Sequence, residues 1–365
     1  MSAQALKKSD SNDINKSGSN NKKSDFNNRN KSKPNLSKWM VDNVIYVVLI
    51  LLVVGIVAAS PDFLSITNLI NILSQSSSRI IIALGVAGIL ITAGTDLSAG
   101  RMVGLAAVIS ASMLQAGDYA YKMYPNLPEL PLFVPILLAM AATGLISALN
   151  GVIVSKLHVP PFIATLGMMI GVYGLTSIYF DRPPYGAQPI GGLSEKFTTF
   201  AQRGIKLGQY EFPYLILYAI IVSLIIWVVW NKTQLGKNMY AIGGNPEAAK
   251  VSGVNVAKNL IIIYTIAGLL YGLTGTLEAG RVGSATNNTG NMYELDAIAA
   301  CVVGGVSLSG GIGTVPGVVT GVLIFQVINY GLAFLGVSPY IQFIVKGLII
   351  IVAVAFDMRK HAKKR

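Results

Sequence analysis

The chain has 365 residues, of which 53% are hydrophobic and only 12% charged, and its mean hydropathy is +0.59. Because a soluble domain usually carries about 25% charged residues, the long charge-free stretches exclude a water-soluble enzyme and indicate an integral membrane protein. The net charge is +12, but the basic residues cluster at both ends and in one central loop. This distribution is typical of membrane topology, so we expect no nucleic-acid partner.

Residue types that carry chemistry are scarce and scattered. The chain has one cysteine, Cys301, inside an apolar run, and its two histidines, His158 and His361, lie far apart beside basic residues. One cysteine cannot form an internal disulfide, and a metal site needs a cluster of ligands. We therefore expect no catalytic residue, no metal site and no cofactor bound by the chain itself.

Residues 1–38 form a polar segment whose composition differs from the rest of the chain. The segment is rich in Ser, Asn and Lys and carries nine basic but only three acidic residues. Because such a segment cannot bury a core, we expect a disordered, basic cytoplasmic tail. Residues 39–358 are then the membrane domain, and residues 359–365 are a second basic cytoplasmic tail.

Ten apolar segments are candidates for membrane-spanning helices, each of which needs about 20 mostly apolar residues. The predicted spans are 41–59, 79–95, 100–117, 132–150, 161–180, 213–230, 259–277, 294–308, 313–335 and 338–357. The eighth span is the weakest because it is short and glycine-rich. The fold class that this pattern predicts is an all-α polytopic membrane protein with about ten transmembrane helices.

An even number of spans places both termini on one side of the membrane, and the charge distribution indicates which side. With both termini inside, 20 of the 28 Lys and Arg residues lie on the inner side and six on the outer side. Since loops rich in Lys and Arg stay in the cytoplasm, we expect cytoplasmic termini. The large inner loop is then 231–258, and the main outer segments are 118–131, 181–212 and 278–293.

Two short segments of the membrane domain resemble each other. "GTDLSAG" at 94–100 and "GVSLSGG" at 305–311 each follow one apolar helix and precede another. Both fall on the predicted inner side, which suggests two weakly repeated halves in parallel orientation, as in many transporters. Glycines four residues apart, such as Gly167 and Gly171, predict close helix packing within the chain or between two copies.

The inner loop contains "GNPEAAKV" at 244–251, which resembles a phosphate-binding loop. The Gly-x-x-x-x-Gly-Lys-Ser/Thr pattern needs a second glycine where Ala249 stands and a magnesium-binding hydroxyl where Val251 stands. Glu247 would also repel phosphate. We therefore do not expect this chain to hydrolyse ATP.

The same stretch carries the signals of a short helix. Asn245 can cap the helix and Pro246 suits its first position, while Gly253 can end it in a left-handed turn. We expect a helix over 246–252, whose small alanines leave a shallow surface that suits docking into a partner's cleft. An ordinary surface helix explains these signals equally well.

Most charged residues of the membrane domain have simple structural explanations. Glu278, Glu294 and Asp296 lie near the outer ends of predicted spans, where a solvated face is usual. Asp96 lies at an inner helix end, where it can cap the following helix or pair with Arg101. These two residues are also the candidates for an inner gate.

Lys346 is the one cation well inside a predicted span. It could pair with a carboxylate, extend its amine to the membrane surface or line a pathway, and the sequence does not decide among these. Ion-coupled carriers typically need carboxylates within the membrane. Because none is predicted to lie mid-span here, the sequence argues against a proton- or sodium-driven mechanism.

Four long blocks closely resemble one family of transport proteins. They are "RIIIALGVAG" at 79–88, "GTDLSAGR" at 94–101, "GKNMYAIGGNPEAAKVSGVNV" at 236–256 and "EAGRVGSATNNTGNMYELDAIAACVVGGVSLSGGIGT" at 278–314. The family is that of the galactose/methyl-galactoside permeases, the inner-membrane subunits of bacterial ABC sugar importers in the ribose/galactose group. The resemblance runs from about residue 42 to the C-terminus.

The resemblance implies a larger machine in the bacterial inner membrane. Two permease copies would form the pathway for the sugar, surrounded by membrane lipid. A periplasmic sugar-binding protein would deliver the substrate, and a cytoplasmic ATP-binding subunit, which uses ATP and magnesium, would drive transport. The resemblance also implies a motif for coupling to the ATPase in the inner loop, at Asn245, Pro246, Glu247, Ala248, Ala249, Lys250 and Gly253.

The outer segment "SATNNTGN" at 284–291 is a further candidate site. Asn287, Asn288 and Asn291 could contact the binding protein or shape an outer gate, and a plain periplasmic loop is the alternative. Two other functions remain open for the whole chain: a stand-alone sugar facilitator or secondary carrier, and a membrane scaffold without sugar flux.

Overall fold

The fold was analysed in a computed structural model that describes residues 44–182, 186 and 188–362, with side chains between residues 50 and 355. The first helices are α1 (Val44–Ala59), α2 (Ile66–Ile91), α3 (Ala99–Met113), α4 (Phe133–Lys156) and α5 (Pro161–Phe180). A 3-10 turn, Pro61–Leu64, joins α1 to α2. The predicted tail 1–38 lies outside the described residues.

The second half begins with a small motif of one short helix and two strands and continues with longer helices. The motif comprises helix α6 (Glu195–Gln202) and the antiparallel strands β1 (Gly204–Leu207) and β2 (Tyr210–Pro213). The remaining helices are α7 (Tyr214–Lys232), α8 (Gln234–Gly244), α9 (Pro246–Val251), α10 (Val256–Val282), α11 (Tyr293–Val303), α12 (Val315–Phe334) and α13 (Pro339–Ala362). Of the predicted tail 359–365, residues 359–362 continue α13 and the rest lies outside the described residues.

Helix α10 is the centre of the bundle and packs against α2, α3 and α4. Its 27 residues extend over about 40 Å, at 1.5 Å per residue. Small residues let the neighbouring backbones approach closely: a Cβ added at Gly268 would lie 2.5 Å from the Thr143 carbonyl oxygen of α4. The glycine spacing therefore serves packing within the chain at this helix, as the sequence predicted.

Gly268→Ala is expected to destabilise the protein by about 1–3 kcal/mol, because the added methyl overpacks the contact between α4 and α10. Gly347→Ala on α13 is the matched control, since nothing in the described part of the chain lies within 4 Å of a Cβ there. Thermal unfolding of the detergent-solubilised variants measures the difference. Equal melting temperatures for the two variants would contradict the packing assigned to α10.

The outward faces of the bundle are apolar. Large aliphatic side chains are exposed along several helices, among them Leu145 on α4, Ile178 on α5, Leu224 on α7 and Ile344 on α13. Exposed apolar surface on this scale marks contact with lipid or with another chain. The distribution agrees with a bundle that lies in a membrane.

Each of the ten predicted spans overlaps an α-helix, but the helices differ in length, and α2 begins at Ile66, well before the predicted start of its span at residue 79. Among the described residues, six are long and apolar enough to cross a membrane, namely α2, α4, α5, α7, α10 and α12. Helix α11, the weakest predicted span, ends at Val303 rather than 308, and its 11 residues extend over only about 16 Å. The all-α class needs one correction, because the predicted outer segment 181–212 contributes residues to a β-hairpin.

The two ends of the bundle are distinguished by the segments beside α10. Helix α9 precedes its first residue, Val256, so that end is called the short-helix end. At the other end, the Gln202 amide of α6 donates to the carbonyl oxygen of Gly280, 3.2 Å away, so that end is called the hairpin end. The Gly311 amide, within 305–311, donates to Ile91 just before 94–100, at 2.8 Å, so the two similar segments meet near the short-helix end.

Candidate functional site

Helix α9 has the local structure that its sequence predicts. The Asn245 side chain accepts a hydrogen bond from the Ala248 amide at 3.0 Å, and Pro246 occupies the first turn. The helix ends at Val251, and Gly253 adopts a φ of 84°, which favours glycine. The predicted helix over 246–252 is confirmed to within one residue.

The two alanines of α9 face opposite directions. Ala249 is buried against the protein, whereas Ala248 is exposed together with Glu247 and Lys250. Val251 is 89% exposed, the largest exposed fraction among the described large hydrophobic residues. The expectation that both alanines form the outer surface is wrong, because Ala249 packs inward. Val251 was not predicted to belong to this surface, although an aliphatic residue in a polar loop could have signalled a contact.

Helix α8 connects this surface to the bundle through hydrogen bonds. The Tyr240 hydroxyl donates to the carbonyl oxygen of Gly313 at 2.8 Å, and the Asn238 amide donates to the Asn259 side chain of α10 at 3.1 Å. A side chain at Gly243 would overlap the Ile91 carbonyl oxygen. Helix α8 is therefore in direct contact with α10 and with the segments that follow α2 and α11.

Asp96 closes the turn that leads into α3. Its side chain is fully buried, and Oδ1 accepts hydrogen bonds from both the amide and the hydroxyl of Ser98. The Asn150 amide of α4 donates to the same hydroxyl at 3.0 Å. One residue further along, the Leu97 amide donates to Thr165, on the first turns of α5. These bonds form a turn just before α3, and the cap residue of that helix, Ser98, makes no side-chain capping bond. The predicted role of Asp96 as a helix cap is therefore wrong.

Arg101 lies with the asparagines of the segment 284–291 rather than with Asp96. Its Nη2 donates to Asn291 Oδ1 at 2.8 Å and its Nη1 to Asn288 Oδ1 at 3.4 Å. Its guanidinium also stacks on the Tyr173 ring of α5, 4.3 Å from the centroid. From the sequence, Arg101 was predicted at the inner ends of the spans and the asparagines at the outer ends. That separation is wrong, because side chains in contact cannot lie on opposite sides of a membrane.

The segment 284–292 is folded into the bundle along α3. A Cβ at Gly104 would lie 2.5 Å from the Thr289 carbonyl oxygen, and one at Gly100 would lie 2.5 Å from that of Gly290. Gly290 itself has a φ of 78°. The Asn287 amide donates to Ser177 on α5 at 3.1 Å. The alternative of a plain periplasmic loop does not describe this segment, whose backbone contacts α3 over about one turn, from Gly100 to Gly104.

A network of charged side chains lies inside the bundle near Glu278. The Arg281 guanidinium donates to both carboxylate oxygens of Glu278, at 2.7 and 3.2 Å, and the hydroxyls of Ser78 and Tyr293 each donate at 2.9 Å. Glu278 is only 2% exposed. Its predicted solvated position is therefore wrong, because four hydrogen bonds stabilise the carboxylate within the helices.

A second group of charges joins three helices around Asp296. Lys346 Nζ of α13 lies 3.1 Å from Asp296 Oδ2, and Arg79 Nη1 of α2 lies 3.6 Å from the same oxygen. The Arg79 guanidinium also stacks on the Tyr293 ring at 3.2 Å. Of the three roles considered for Lys346, the structure shows pairing with a carboxylate.

These positions also overturn the argument that no carboxylate lies among the spans. Asp296 lies beside Arg79, which is near the middle of the 26-residue α2, and Glu294 is 8% exposed against α3. The sequence could not reveal these contacts, since they join residues many positions apart. The energy source of transport must therefore be argued from other observations.

The sequence profile of a family described as "Branched-chain amino acid transport system / permease component" matches residues 68–354. The match covers α2 to α12 and most of α13, and it includes both α9 and the Arg101 contacts. The chain belongs to this permease family. Permeases of this family are membrane components of transport systems rather than enzymes.

Individual relatives differ in how similar their sequences are to this chain. The galactose/methyl galactoside import permease protein MglC of Haemophilus influenzae is 59% identical over 323 residues, which is 88% of this chain and 96% of the relative. MglC of Escherichia coli is 57% identical over 91% of this chain and 98% of its own length. The ribose import permease protein RbsC of Escherichia coli is 39% identical over 88% and 95%. None of the solved structures compared matches this permease.

Proposed function

We propose that this permease is the transmembrane subunit of an ATP-driven importer for galactose and methyl galactosides in a bacterial inner membrane. The observation that carries the proposal is identity of 57–59% over nearly the full length of import permeases named for these sugars. Identity to the ribose import permease is much lower, at 39%. The ten helices would cross the membrane with both termini in the cytoplasm, as the distribution of Lys and Arg favours.

The short-helix end is the proposed docking surface for a cytoplasmic ATP-binding subunit. It lies on the side where the sequence places most basic residues, and α9 projects Glu247, Lys250 and Val251 away from the bundle. The coupling motif proposed for this surface comprises Asn245, Pro246, Glu247, Ala248, Ala249, Lys250 and Gly253. Asn245 and Gly253 define the two ends of α9, and the buried Ala249 packs against the bundle. Movement of α9 would therefore reach α10 through α8.

A periplasmic sugar-binding protein and a second copy of the permease complete the proposed complex. Helix α5 is the proposed contact surface for the second copy. Within the described structure, no atom lies within 4 Å of a Cβ added at Gly167, Gly171 or Gly174. Glycines on a helix in lipid allow another helix to approach closely. Packing of these glycines within the chain, one of the two alternatives from the sequence, does not occur in the described structure.

Gly171→Leu is expected to weaken self-association of the permease by about tenfold or more, because the added side chain separates the two α5 helices. The dimer fraction in detergent, measured over a series of protein concentrations, gives the change. Gly347→Leu on α13 is the control, because no described atom of the chain lies within 4 Å of a Cβ added at Gly347. An unchanged dimer fraction for Gly171→Leu would place the interface elsewhere.

Sugar uptake into vesicles tests the function directly. Permease reconstituted with the ATP-binding subunit inside and the loaded sugar-binding protein outside is expected to accumulate radiolabelled galactose only when ATP is supplied. Omission of either partner is expected to abolish accumulation. No uptake by the complete, ATP-hydrolysing complex with galactose or a methyl galactoside would overturn the proposal.

A stand-alone carrier is the second candidate function. The buried carboxylates of Glu278 and Glu294 and the partly buried one of Asp296 favour keeping it, since carboxylates within a membrane are a feature of ion-coupled carriers. The contacts of Glu278 and Asp296 with three cations favour a structural role instead. Uptake by the permease alone, driven by a proton or sodium gradient without ATP, would support the carrier.

A further inference from the structure

Four polar side chains form a cluster on the surface of the bundle. The cluster consists of Arg101, Tyr173, Asn288 and Asn291, and it is called the Arg101 cluster. Asn288 and Asn291 are exposed, Arg101 is half-buried, and Tyr173 is 41% exposed. The structure thus leaves a cation and two amides open to the surroundings of the chain.

The depth of the cluster follows from Tyr173. This residue lies seven positions before the end of α5 at Phe180, within a 20-residue helix that is apolar enough to span a membrane. At 1.5 Å per residue, the cluster lies about 10 Å inside that end of the helix. Exposed Leu175 and Ile178 follow on the same helix towards that end. The Arg101 cluster therefore lies at the depth of the hydrocarbon, not at the membrane surface.

Lipid cannot surround a cluster of this kind at low cost. A charge or an unpaired amide in hydrocarbon costs several kcal/mol, so intramembrane polar side chains face a protein interior or a water-filled cavity. A water-filled pathway beside α3 and α5 would keep the cluster out of contact with lipid.

The backbone around the cluster is rigidly positioned. Gly100 and Gly104 bring the segment 284–292 against α3, and the Asn287 amide fastens it to α5. Met292, next to Asn291, has a φ of 63°, a conformation that is rare for residues other than glycine. A backbone held in this way presents Asn288 and Asn291 in a fixed geometry, as binding sites require.

We propose that the Arg101 cluster is a sugar-binding subsite in the translocation pathway, towards its hairpin end. The inference rests on the function proposed above. Each asparagine accepts a hydrogen bond from Arg101 through Oδ1, which leaves its Nδ2 free to donate to a sugar hydroxyl. The ligand that fits is a neutral hexose with neighbouring hydroxyl groups, because amide groups donate hydrogen bonds to hydroxyls.

Cysteine accessibility tests whether the cluster faces water and sugar. The one native cysteine, Cys301, is fully buried, so it gives little background labelling. In the assembled importer, a charged thiol reagent is expected to label Asn288→Cys about tenfold faster than Leu145→Cys, since Leu145 is 73% exposed on an apolar helix and faces lipid. Millimolar galactose is expected to slow labelling of Asn288→Cys and not that of Ser252→Cys near α9. Equal labelling of Asn288→Cys and Leu145→Cys, or no effect of galactose, would overturn the subsite.

Uptake measurements separate this inference from the proposed function. In the complete importer, Asn288→Ala and Asn291→Ala are expected to lower the number of galactose molecules imported per ATP by about tenfold, because each loses a donor to the sugar. Asn291→Gln keeps an amide donor, so its number of galactose molecules imported per ATP is expected to fall less. Asn231→Ala is the control, since Asn231 is exposed and donates only to its own helix, at Trp227.

The outcomes of the uptake experiment are distinct. If the unsubstituted complex hydrolyses ATP but imports no galactose, the proposed function fails. If it imports galactose and all four variants match it, only the subsite fails. Assembly of each variant with the ATP-binding subunit shows that the bundle is folded, and Asn288→Cys provides an independent reading for any alanine variant that does not assemble.

Discussion

Asp296→Asn is expected to lower the free energy of unfolding by about 3–5 kcal/mol, the cost of leaving buried charges without their partner. In the bundle, the Asp296 carboxylate lies within 4 Å of the charged groups of Lys346 and Arg79, and its side chain is only 14% exposed. Asparagine keeps the size of the side chain but removes the negative charge. Two cations would then repel each other among α2, α11 and α13.

The matched variant is Lys346→Met, for which a smaller loss is expected, about 1–2 kcal/mol. Methionine fills the volume of the lysine stem. Asp296 retains its ion pair with Arg79, whose Nη1 lies 3.6 Å from Asp296 Oδ2. The double variant, Asp296→Asn with Lys346→Met, is expected to be more stable than Asp296→Asn alone, because one of the two unpaired cations is gone. Titration with SDS in mixed micelles measures the free energy of unfolding of the two single variants and the double variant.

Two results would contradict this account of the charges. Equal losses for Asp296→Asn and Lys346→Met would mean that Arg79 does not share the carboxylate. A double variant less stable than Asp296→Asn would mean that Lys346 contributes through other contacts. The second outcome would also return Lys346 to the other two roles considered from the sequence, at the membrane surface or along a pathway.

Local features of the fold could be predicted from the sequence, because their causes lie within a few residues. The cap at Asn245, the proline that follows it and the turn at Gly253 all act within ten residues, and α9 forms as they indicate. The helices in the ten apolar segments follow from composition alone. The β-hairpin was missed, although Gly208, with a φ of 64°, marks the two-residue turn between Leu207 and Tyr210.

Contacts between distant segments could not be predicted in this way. Asp296 meets Lys346 fifty residues further along and Arg79 more than two hundred residues earlier. A sequence pattern assigns each charge to the nearest end of its own helix, so Glu278 and Asp296 were placed in solvent. The segment 284–292 was treated as an outer loop for the same reason. Its glycine contacts with α3, which bring Asn291 to Arg101, depend on how two helices pack.

Val251→Asp is expected to weaken binding of the ATP-binding subunit by at least about tenfold, or 1.4 kcal/mol, and to reduce ATP-driven sugar uptake in proportion. Val251 is the most exposed large hydrophobic residue of the described chain, and it ends α9 at the proposed docking surface. A carboxylate that enters a partner's cleft there loses its water without gaining a cation, which opposes binding. Co-purification and uptake measure the two effects.

Ile205→Asp is the control for the same change of chemistry at the hairpin end. Ile205 is 51% exposed on β1, and in the proposed orientation it lies on the periplasmic side. This variant is expected to retain the ATP-binding subunit fully, whatever its effect on the binding protein. Because Val251 lies at the end of α9, replacing it leaves the Asn245 cap and the Ala249 contact intact, so the permease itself is expected to unfold at the unchanged temperature. If Val251→Asp and Ile205→Asp bound the ATP-binding subunit equally well, docking through α9 would be wrong, and the coupling surface would have to lie elsewhere at the short-helix end.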